Sequence, residues 1–271
     1  MKLLFSIGGA MEVKSPQPVL SIRIGPAHLC FSVSDIQTNE LHQLFYYSTD
    51  IGDKNAVSEI EKAHPEILND FYQVLVGFDY PTSCFVPSYY AASESGKNLI
   101  GIMYGKQPGQ HFHSEQTASS GIWNLYSVPE QIFREVNTRF SRARYWQQYT
   151  VESMNLPQAE VEELIMVEFR PESFSIFVCK KNVVLLVQTY DYTSPSEVIY
   201  YLLNVCKHFQ MDQRKVQLLL SGLVAKESSL YHELYQYFIN IEFRLAAWKI
   251  TGTDSPAHFF TALNDLSKCA S

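Results

Sequence analysis

The feature of this sequence that most constrains its fold is a short phrase that occurs twice. Residues 22–33 read IRIGPAHLCFSV and residues 167–178 read VEFRPESFSIFV, 145 positions later. Each copy places a charged residue between two hydrophobic residues, then a variable position, a proline and an alternating stretch. Alternation predicts strands. A period of this length is too long for a solenoid, so we interpret the repeat as two copies of one α/β domain.

The pattern after each copy supports this interpretation. The second half reads as three strands, a helix, a strand, a helix, a strand and a helix, and the first half opens in the same order. We predict a buried strand over 183–192, which is apolar at nearly every position, a last strand over 243–248, and a loop over 92–110 that is rich in Gly, Ser and Lys and carries short elements. A strand over 143–154 closes the first half. The predicted division is an N-terminal extension over 1–15, a first domain over 16–158 and a second domain over 159–271.

Composition excludes several classes of protein. Hydrophobic residues make up 46% of the chain, enough to fill a core, and the formal net charge is -7 without a basic cluster, which argues against nucleic acid as a partner. The five cysteines form no CxxC pair, as expected of a reduced, cytoplasmic protein. Residues 1–15 resemble a signal peptide only faintly, and their apolar run is too short to span a bilayer.

A duplicated domain of this order resembles the actin-like ATPase superfamily, and the chain is similar to an uncharacterised bacterial family within it. The resemblance implies an α/β fold of two ribonuclease H-like domains in an actin-like ATPase arrangement. In this superfamily each domain opens with a strand that runs into Asp-x-Gly-Thr/Ser. The Asp orders the metal and water, and the Gly lets backbone amides approach a phosphate.

The first copy departs from that phosphate loop. Gly25 retains the glycine, but Arg23 replaces the acid and Pro26 replaces the hydroxyl residue. Proline also removes an amide donor. The first loop therefore lacks its metal ligand, its hydroxyl group and one amide.

The second copy departs in a similar way. Glu168 retains an acid, whereas Arg170 occupies the space that a phosphate would use and Pro171 again lacks an N–H group. A third motif, a glycine pair beside adenosine, is reduced to Ser221 and Gly222 because Leu223 follows. We expect Arg170 to be held by an acid or a backbone carbonyl.

These departures predict a pseudo-ATPase with no cofactor, in which Arg23, Pro26, Arg170 and Pro171 plug the nucleotide cleft. Such a protein would act in binding or scaffolding with an unknown protein partner, without integral membrane segments. The alternative is an ATP-binding protein or kinase with atypical phosphate loops. It would bind ATP with Mg²⁺ through the residues that retain part of the motifs, which are Gly25, Glu168, Ser221 and Gly222.

Two further sites are considered from residue spacing. His111, His113 and Glu115 share one face of a strand, a spacing that can hold zinc, although no further ligand is evident and we expect no metal. A two-metal nuclease would need paired acids, but Arg23 lies where the first acid would be. The carboxylates considered for that nuclease are Asp35, Asp50, Asp53 and Asp79.

Overall fold

The structure is a computed structural model, in which the chain divides into two compact units. The first unit consists of Met1–Leu156, Trp248–Thr253 and Leu263–Ser271, and the second consists of Pro157–Ala247 and Asp254–Ala262. The residues that the structure describes are 1–8, 15–53, 55–91, 93–106, 108–157, 161–250 and 253–270.

The first unit is built on a mixed sheet. Its described strands are β1 (Lys2–Ile7), β2 (Pro18–Ile24), β3 (His28–Asp35), β4 (Leu41–Ser48), β5 (Gln73–Phe78), β6 (Ser83–Pro87), β7 (Gln110–Gln116), β8 (Ile122–Pro129) and β9 (Arg144–Gln147). Six of them form one sheet in the order β1-β4-β3-β2-β5-β9, and the other three form a smaller sheet in the order β6-β8-β7. Strands β1 to β4 pair antiparallel, whereas β5 and β9 run parallel to β2.

Helices cover both faces of the larger sheet. Val57 and Ile60 on one helix and Ile132 on another pack with Phe31 and Phe78 in the main core. These helical residues recur at the spacing that places them on one face. Val151, from a further helix, packs in a separate cluster with Val19, Leu75 and Leu266. The helices are α1 (Ala56–Ala63), α2 (Ser93–Tyr104), α3 (Glu130–Arg139) and α4 (Gln148–Met154).

The second unit has one sheet. Its described strands are β10 (Glu163–Phe169), β11 (Ser173–Lys180), β12 (Val183–Asp191), β13 (Gln217–Gly222) and β14 (Asn240–Phe243). Their order is β12-β11-β10-β13-β14. Its helices are α5 (Pro195–His208) and α6 (Ser229–Tyr237). A later helix, α7 (Thr261–Ser267), begins in the second unit and continues into the part of the chain that belongs to the first.

The start of α5 shows how the sequence sets a helix boundary. Ser194 and Glu197 form a reciprocal capping box, and Pro195 occupies the first turn. Proline fits there because its missing N–H would have no partner inside the helix. The predicted Ser/Thr cap followed by proline is therefore confirmed.

The two larger sheets share one topology. In each, a hairpin and a third antiparallel strand precede a helix and a strand parallel to the first. The hairpins are also in the same register, because Ile24 pairs with Leu29 in the first unit and Phe169 pairs with Phe174 in the second. The two copies of the repeated phrase are thus the corresponding opening hairpins of two sheets with the same strand order.

Three predicted elements are wrong. The segment 92–110, predicted as a loop with short elements, is mostly the twelve-residue helix α2. Gly96 in this helix packs closely against Leu125, since a Cβ placed on Gly96 would lie 3.2 Å from the Leu125 side chain. Close packing thus explains a glycine that had indicated a loop. The segment 143–154, predicted as one strand, is β9 followed by α4. The last strand was predicted over 243–248, but the last described strand, β14, ends at Phe243. Short apolar runs do not distinguish strands from buried helices.

Strand β12 is also not the buried strand that its apolar sequence predicts. It lies at the edge of its sheet, and none of its nine residues is fully buried. A run of apolar residues satisfies the pattern of a central strand, but tertiary pairing determines which strand lies at the edge.

Both ends of the chain differ from the predicted division. Lys2–Ile7, assigned to an extension, pairs with β4 as an edge strand of the first sheet. Residues 263–270 belong to the first unit, although they were assigned to the second domain. The predicted boundary between 158 and 159 lies outside the described residues. Across the described part of the chain, no helix is both long enough and apolar enough to span a membrane.

Candidate functional site

The candidate site begins at the turn between β2 and β3, where the superfamily resemblance places a phosphate loop. The Gly25 N–H donates to the His28 carbonyl at 2.9 Å and closes the turn. A Cβ on Gly25 would lie 2.2 Å from Cε1 of His28. Since no side chain is accommodated at that distance, packing against the imidazole ring accounts for the glycine at this position.

A buried cluster of charged residues lies beside this turn. Arg23 Nη2 donates to Asp79 Oδ2 at 2.7 Å, and His28 Nε2 lies 3.1 Å from the same oxygen. The three residues are only 3%, 5% and 2% exposed, respectively. The cluster forms because β5 ends beside β2, where the Asp79 N–H donates to the Ile24 carbonyl at 2.7 Å. The charge of Arg23 is therefore balanced by a carboxylate of its own unit.

The turn between β10 and β11 is closed in the same way, since the Arg170 N–H donates to the Ser173 carbonyl at 2.8 Å. The Arg170 guanidinium donates to Glu168 at 3.2 Å and to the Ser175 hydroxyl at 3.4 Å. Arg170 and Glu168 are each 4% exposed. The acid expected to hold Arg170 is thus Glu168, two residues earlier in the chain.

The cation and the acid have exchanged places between the two clusters. Arg23 pairs with Gly77 across the parallel strands, and Glu168 pairs with Ser221 at the equivalent place in the second sheet. In the first unit the opening strand carries the cation and the end of β5 supplies the acid. In the second unit the opening strand carries the acid and the turn supplies the cation through Arg170. Each unit neutralises its own buried charge at the position where the superfamily has an acid for the metal.

The superfamily resemblance places Gly222 beside adenosine, but close packing also explains why this residue is a glycine. Its φ is +76°, and a Cβ would lie 2.1 Å from the backbone oxygen of Phe169. The next residue, Leu223, donates its N–H to that oxygen at 2.9 Å. The Ser221 hydroxyl donates to the Val167 carbonyl at 3.4 Å. The close pairing of β13 with β10 therefore requires glycine at 222.

His111, His113 and Glu115 do not assemble a metal centre in the structure. The described residues contain no group of three or more His, Cys, Asp or Glu side chains placed to hold a metal ion. His111 Nδ1 is 3.1 Å from the Glu130 carboxylate. Burial, together with His111, lowers the pKa of His113 to about 4. The two rings pack near one another, with centroids 4.5 Å apart.

Glu115 belongs instead to a buried polar network. Its carboxylate accepts a hydrogen bond from the Gln147 N–H at 2.8 Å and one from the Tyr126 hydroxyl at 3.3 Å. Asn124 extends the network by donating to Gln147 at 2.9 Å and to Thr150 at 3.0 Å. Burial raises the pKa of Glu115 to about 7. The network joins the three-stranded sheet to the start of α4.

The four carboxylates considered for a nuclease do not share one site, because Asp35 lies far from Asp79. Asp79 lies in the Arg23 cluster, whereas Asp35 lies at the far end of β3, about 20 Å from His28. Burial opposes ionisation of Asp35, but hydrogen bonds from Ser15, Thr38 and Gln37 lower its pKa to about 2. The bonds from Gln37 and Thr38 close the turn after β3. Asp50 and Asp53 lie in the segment between β4 and α1, which contacts the first opening turn because the Gly52 N–H donates to the Pro26 carbonyl at 3.1 Å.

Sequence reasoning predicted an acid or a backbone carbonyl as the partner of Arg170 without identifying it as Glu168, and it assigned no partner to Arg23. His28 was not singled out, Ser175 was not considered, and Asp79 was considered only as a nuclease acid. A usable signal was present, because an arginine inside a predicted buried strand requires a carboxylate nearby. Such a carboxylate is expected at the end of the neighbouring parallel strand.

A comparison with protein-family models identifies the family of this chain. Residues 11–241 match the model of a family described as "Protein of unknown function (DUF3822)". The chain belongs to this family. No curated protein matches the sequence.

Solved structures with the same fold show low sequence identity to the chain. A protein of unknown function with an actin-like ATPase fold from Bacteroides thetaiotaomicron is 17% identical, with 96% of this chain and all of that chain covered and a TM-score of 0.79. A chain of the PilM–PilN type IV pilus biogenesis complex is 12% identical, with coverages of 93% and 98% and a TM-score of 0.64. The ethanolamine utilization protein EutJ from Carboxydothermus hydrogenoformans is 10% identical, with coverages of 96% and 92% and a TM-score of 0.54. The predicted actin-like ATPase fold is thereby confirmed.

Proposed function

We propose that this protein is a non-catalytic actin-like protein that acts in protein binding or scaffolding. The observation that carries the proposal is that both opening turns use their charged groups internally. Arg23 is paired with Asp79 at 2.7 Å, and Arg170 is paired with Glu168 at 3.2 Å. The N–H groups of Gly25 and Arg170 close their own hairpins, and each turn continues with a proline that has no N–H.

The competing candidate is an ATP-binding protein or kinase with atypical phosphate loops. Glu168 favours it, because this residue retains a carboxylate where the superfamily has an acid. Binding a metal there would require Glu168 to exchange its contact with Arg170 for the ion, which would separate a buried guanidinium from its paired carboxylate. Gly222 adds little to this candidate, since its packing against Phe169 already accounts for it.

The proposal includes a bacterial, cytoplasmic setting and an internal duplication of one domain. The shared strand order of the two sheets supports the duplication. Five cysteines that form no disulfide among the described residues support a reducing compartment. The occurrence of this fold in a solved protein–protein complex supports a protein partner for this chain.

A thermal-shift titration with ATP and Mg²⁺ tests the proposal directly. We expect no shift, whereas a ligand at 100 times its Kd would stabilise the protein by about 2.7 kcal/mol and raise the Tm by about 5 °C. We also expect phosphate release at background rate. The matched variant is Glu168→Ala, and steady ATP turnover that disappears in this variant would establish the competing candidate.

Arg170→Gly extends the test by removing the side chain that fills the second turn. We expect this variant not to gain ATP binding, because Pro171 still lacks an N–H and Leu223 still replaces a glycine. Circular dichroism would verify that the variant is folded. A Tm increase with ATP in Arg170→Gly, but not in the parent protein, would show that Arg170 alone blocks a nucleotide site.

A further inference from the structure

Strand β12 exposes an apolar edge in the second unit. It pairs only with β11 among the described strands. Its first five residues are Val, Val, Leu, Leu and Val, yet all of β12 is exposed or half-buried, and Val183 is 59% exposed. In contrast, the six central residues of β11 are buried. A long apolar edge strand is a template for pairing with another chain.

A cavity of about 590 Å³ opens between this strand and α5. Leu186 and Tyr190 line it from the strand, and Tyr201 and Val205 line it from the helix, one turn apart. The rings of Tyr190 and Tyr201 are stacked, with centroids 4.2 Å apart. A volume of this size is within the range of ligand pockets, and its walls are suited to an apolar or aromatic side chain.

The rim of the cavity is basic. Lys207 and His208 line it together with Asn204, and no carboxylate is among the lining residues. Lys207 forms no ion pair with any described residue, whereas Lys180 nearby is paired with Glu163 at 2.8 Å. The formal net charge of the chain is -7, so a basic rim is a local exception. Its charge is complementary to an acidic occupant.

We propose that β12 and this cavity form a docking site for an extended, acidic segment of a partner protein. The segment adds a sixth strand at the edge of the sheet, inserts an apolar side chain beside Tyr190 and Tyr201, and places an acidic side chain against Lys207. Main-chain hydrogen bonds at the edge provide affinity, and the cavity selects the side chain. The inference rests on the proposed role in protein binding and identifies the surface of this chain that contacts the partner.

The direction of the backbone groups at this edge follows from the strand register. The Tyr192 N–H donates to the Glu172 carbonyl at 3.1 Å. Because hydrogen-bonded and non-bonded pairs alternate in an antiparallel ladder, the N–H of Val187, which pairs with Phe177, points away from β11. It therefore points to the side on which an added strand would lie.

A second copy of the chain fits this edge less well than an acidic segment does. The only charged residue of β12 is Asp191, at its C-terminal end. An antiparallel pair of β12 strands would bring a second basic rim to the interface without an acid in the middle of either strand. Charge complementarity therefore favours a different chain as the occupant.

Selection from a display library of random nine-residue peptides on the purified full chain tests the inference. We expect enriched peptides to alternate β-branched or aromatic residues with polar ones and to contain Asp or Glu. Their affinities are then measured by fluorescence anisotropy. Lys207→Glu should weaken binding by about tenfold or more, the equivalent of 1.4 kcal/mol, whereas Lys226→Glu, an exposed lysine outside the cavity, should change it by less than about twofold.

Val187→Pro tests the strand edge in the same assay. It removes the outward N–H and should also weaken binding by about tenfold, while Val187→Thr keeps both the N–H and the β-branched shape and should bind as the parent does. Circular dichroism distinguishes a local effect from loss of the fold. If Val187→Pro is unfolded, Asn204→Glu replaces it, because this change places a carboxylate on the rim of the cavity from an exposed position and should weaken binding of an acidic peptide.

Four outcomes would overturn the inference: no enriched peptide, enrichment of basic peptides, binding that neither Lys207→Glu nor the edge variant weakens, or a concentration-dependent dimer that the edge variant abolishes. The last would assign the edge to a second copy. Failure of the proposed function is distinguishable, because it is detected by ATP binding and not by peptide selection. A protein that binds ATP and also selects acidic peptides at β12 would retain this inference alone.

Discussion

The pair formed by Arg23 and Asp79 gives the sharpest test of how the first unit is stabilised. Asp79→Asn preserves the shape of the side chain but removes the charge that balances the guanidinium 2.7 Å away. Arg23 is 3% exposed, so water cannot replace the lost partner. Breaking a buried ion pair in this way costs about 3–5 kcal/mol. With a urea m-value of about 2–3 kcal/mol/M, the unfolding midpoint should fall by about 1–2.5 M.

Tryptophan fluorescence is a suitable probe for this measurement. Trp123, Trp146 and Trp248 are the three tryptophans of the chain, and all lie in the first unit. Their emission therefore follows the unit that contains the perturbed pair, even if the two units unfold in separate transitions.

A double-mutant cycle isolates the pair. Arg23→Met combined with Asp79→Leu removes both charges, and we expect it to be much more stable than either single variant, because replacing both buried ions with apolar groups is often close to neutral. Arg134→Met removes the partner of Glu130 from an exposed pair and should leave the midpoint unchanged. If Asp79→Asn shifts the midpoint no more than Arg134→Met does, the buried pair is not what stabilises the turn.

Two other predictions follow from the network and from the close strand pairing. The free energy of unfolding of Glu115→Gln, relative to that of the parent, should increase as the pH rises from 4.5 to about 7. The gain should reach about 3 kcal/mol and is measured by urea titrations at each pH. The sign follows because a carboxyl whose pKa is raised by folding stabilises the fold when protonated and loses that contribution as it ionises. Gly222→Ala should destabilise the second unit by about 1–3 kcal/mol from its positive φ alone, measured by circular dichroism, and contact with Phe169 adds to this cost.

Each of these predictions has a matched control. An equal stability difference between Glu115→Gln and the parent at pH 5 and pH 8 would show that the Glu115 carboxyl is not perturbed. Gly101 lies inside α2, and a Cβ added to it would have no atom within 4 Å beyond its chain neighbours and the backbone of its own helix. We therefore expect Gly101→Ala to stabilise the protein by about 0.5–1 kcal/mol. A Gly222→Ala variant as stable as Gly101→Ala would contradict the packing explanation for Gly222.

Much of the fold could be predicted because the informative patterns are local. The Pro26 and Pro171 turns interrupt alternating stretches within a dozen residues, and the hairpins that result are correct in both units. The capping box at Ser194 is equally local. The loop predicted over 92–110 failed for the opposite reason, since Gly96 in α2 is explained by Leu125, a residue on a distant strand.

The sequence by itself determined that both opening strands carry a buried charge followed by proline, and hence that neither turn matches a phosphate loop. Only the tertiary structure decided how those charges are balanced. Arg23 and Asp79 are 56 residues apart, and parallel pairing of β2 with β5 brings them together, which no local pattern encodes. The same holds for β12, whose apolar residues are typical of a central strand. Its place at the edge depends on which strands pair across the sheet, and that choice leaves its apolar side chains and the basic rim of α5 available to a partner.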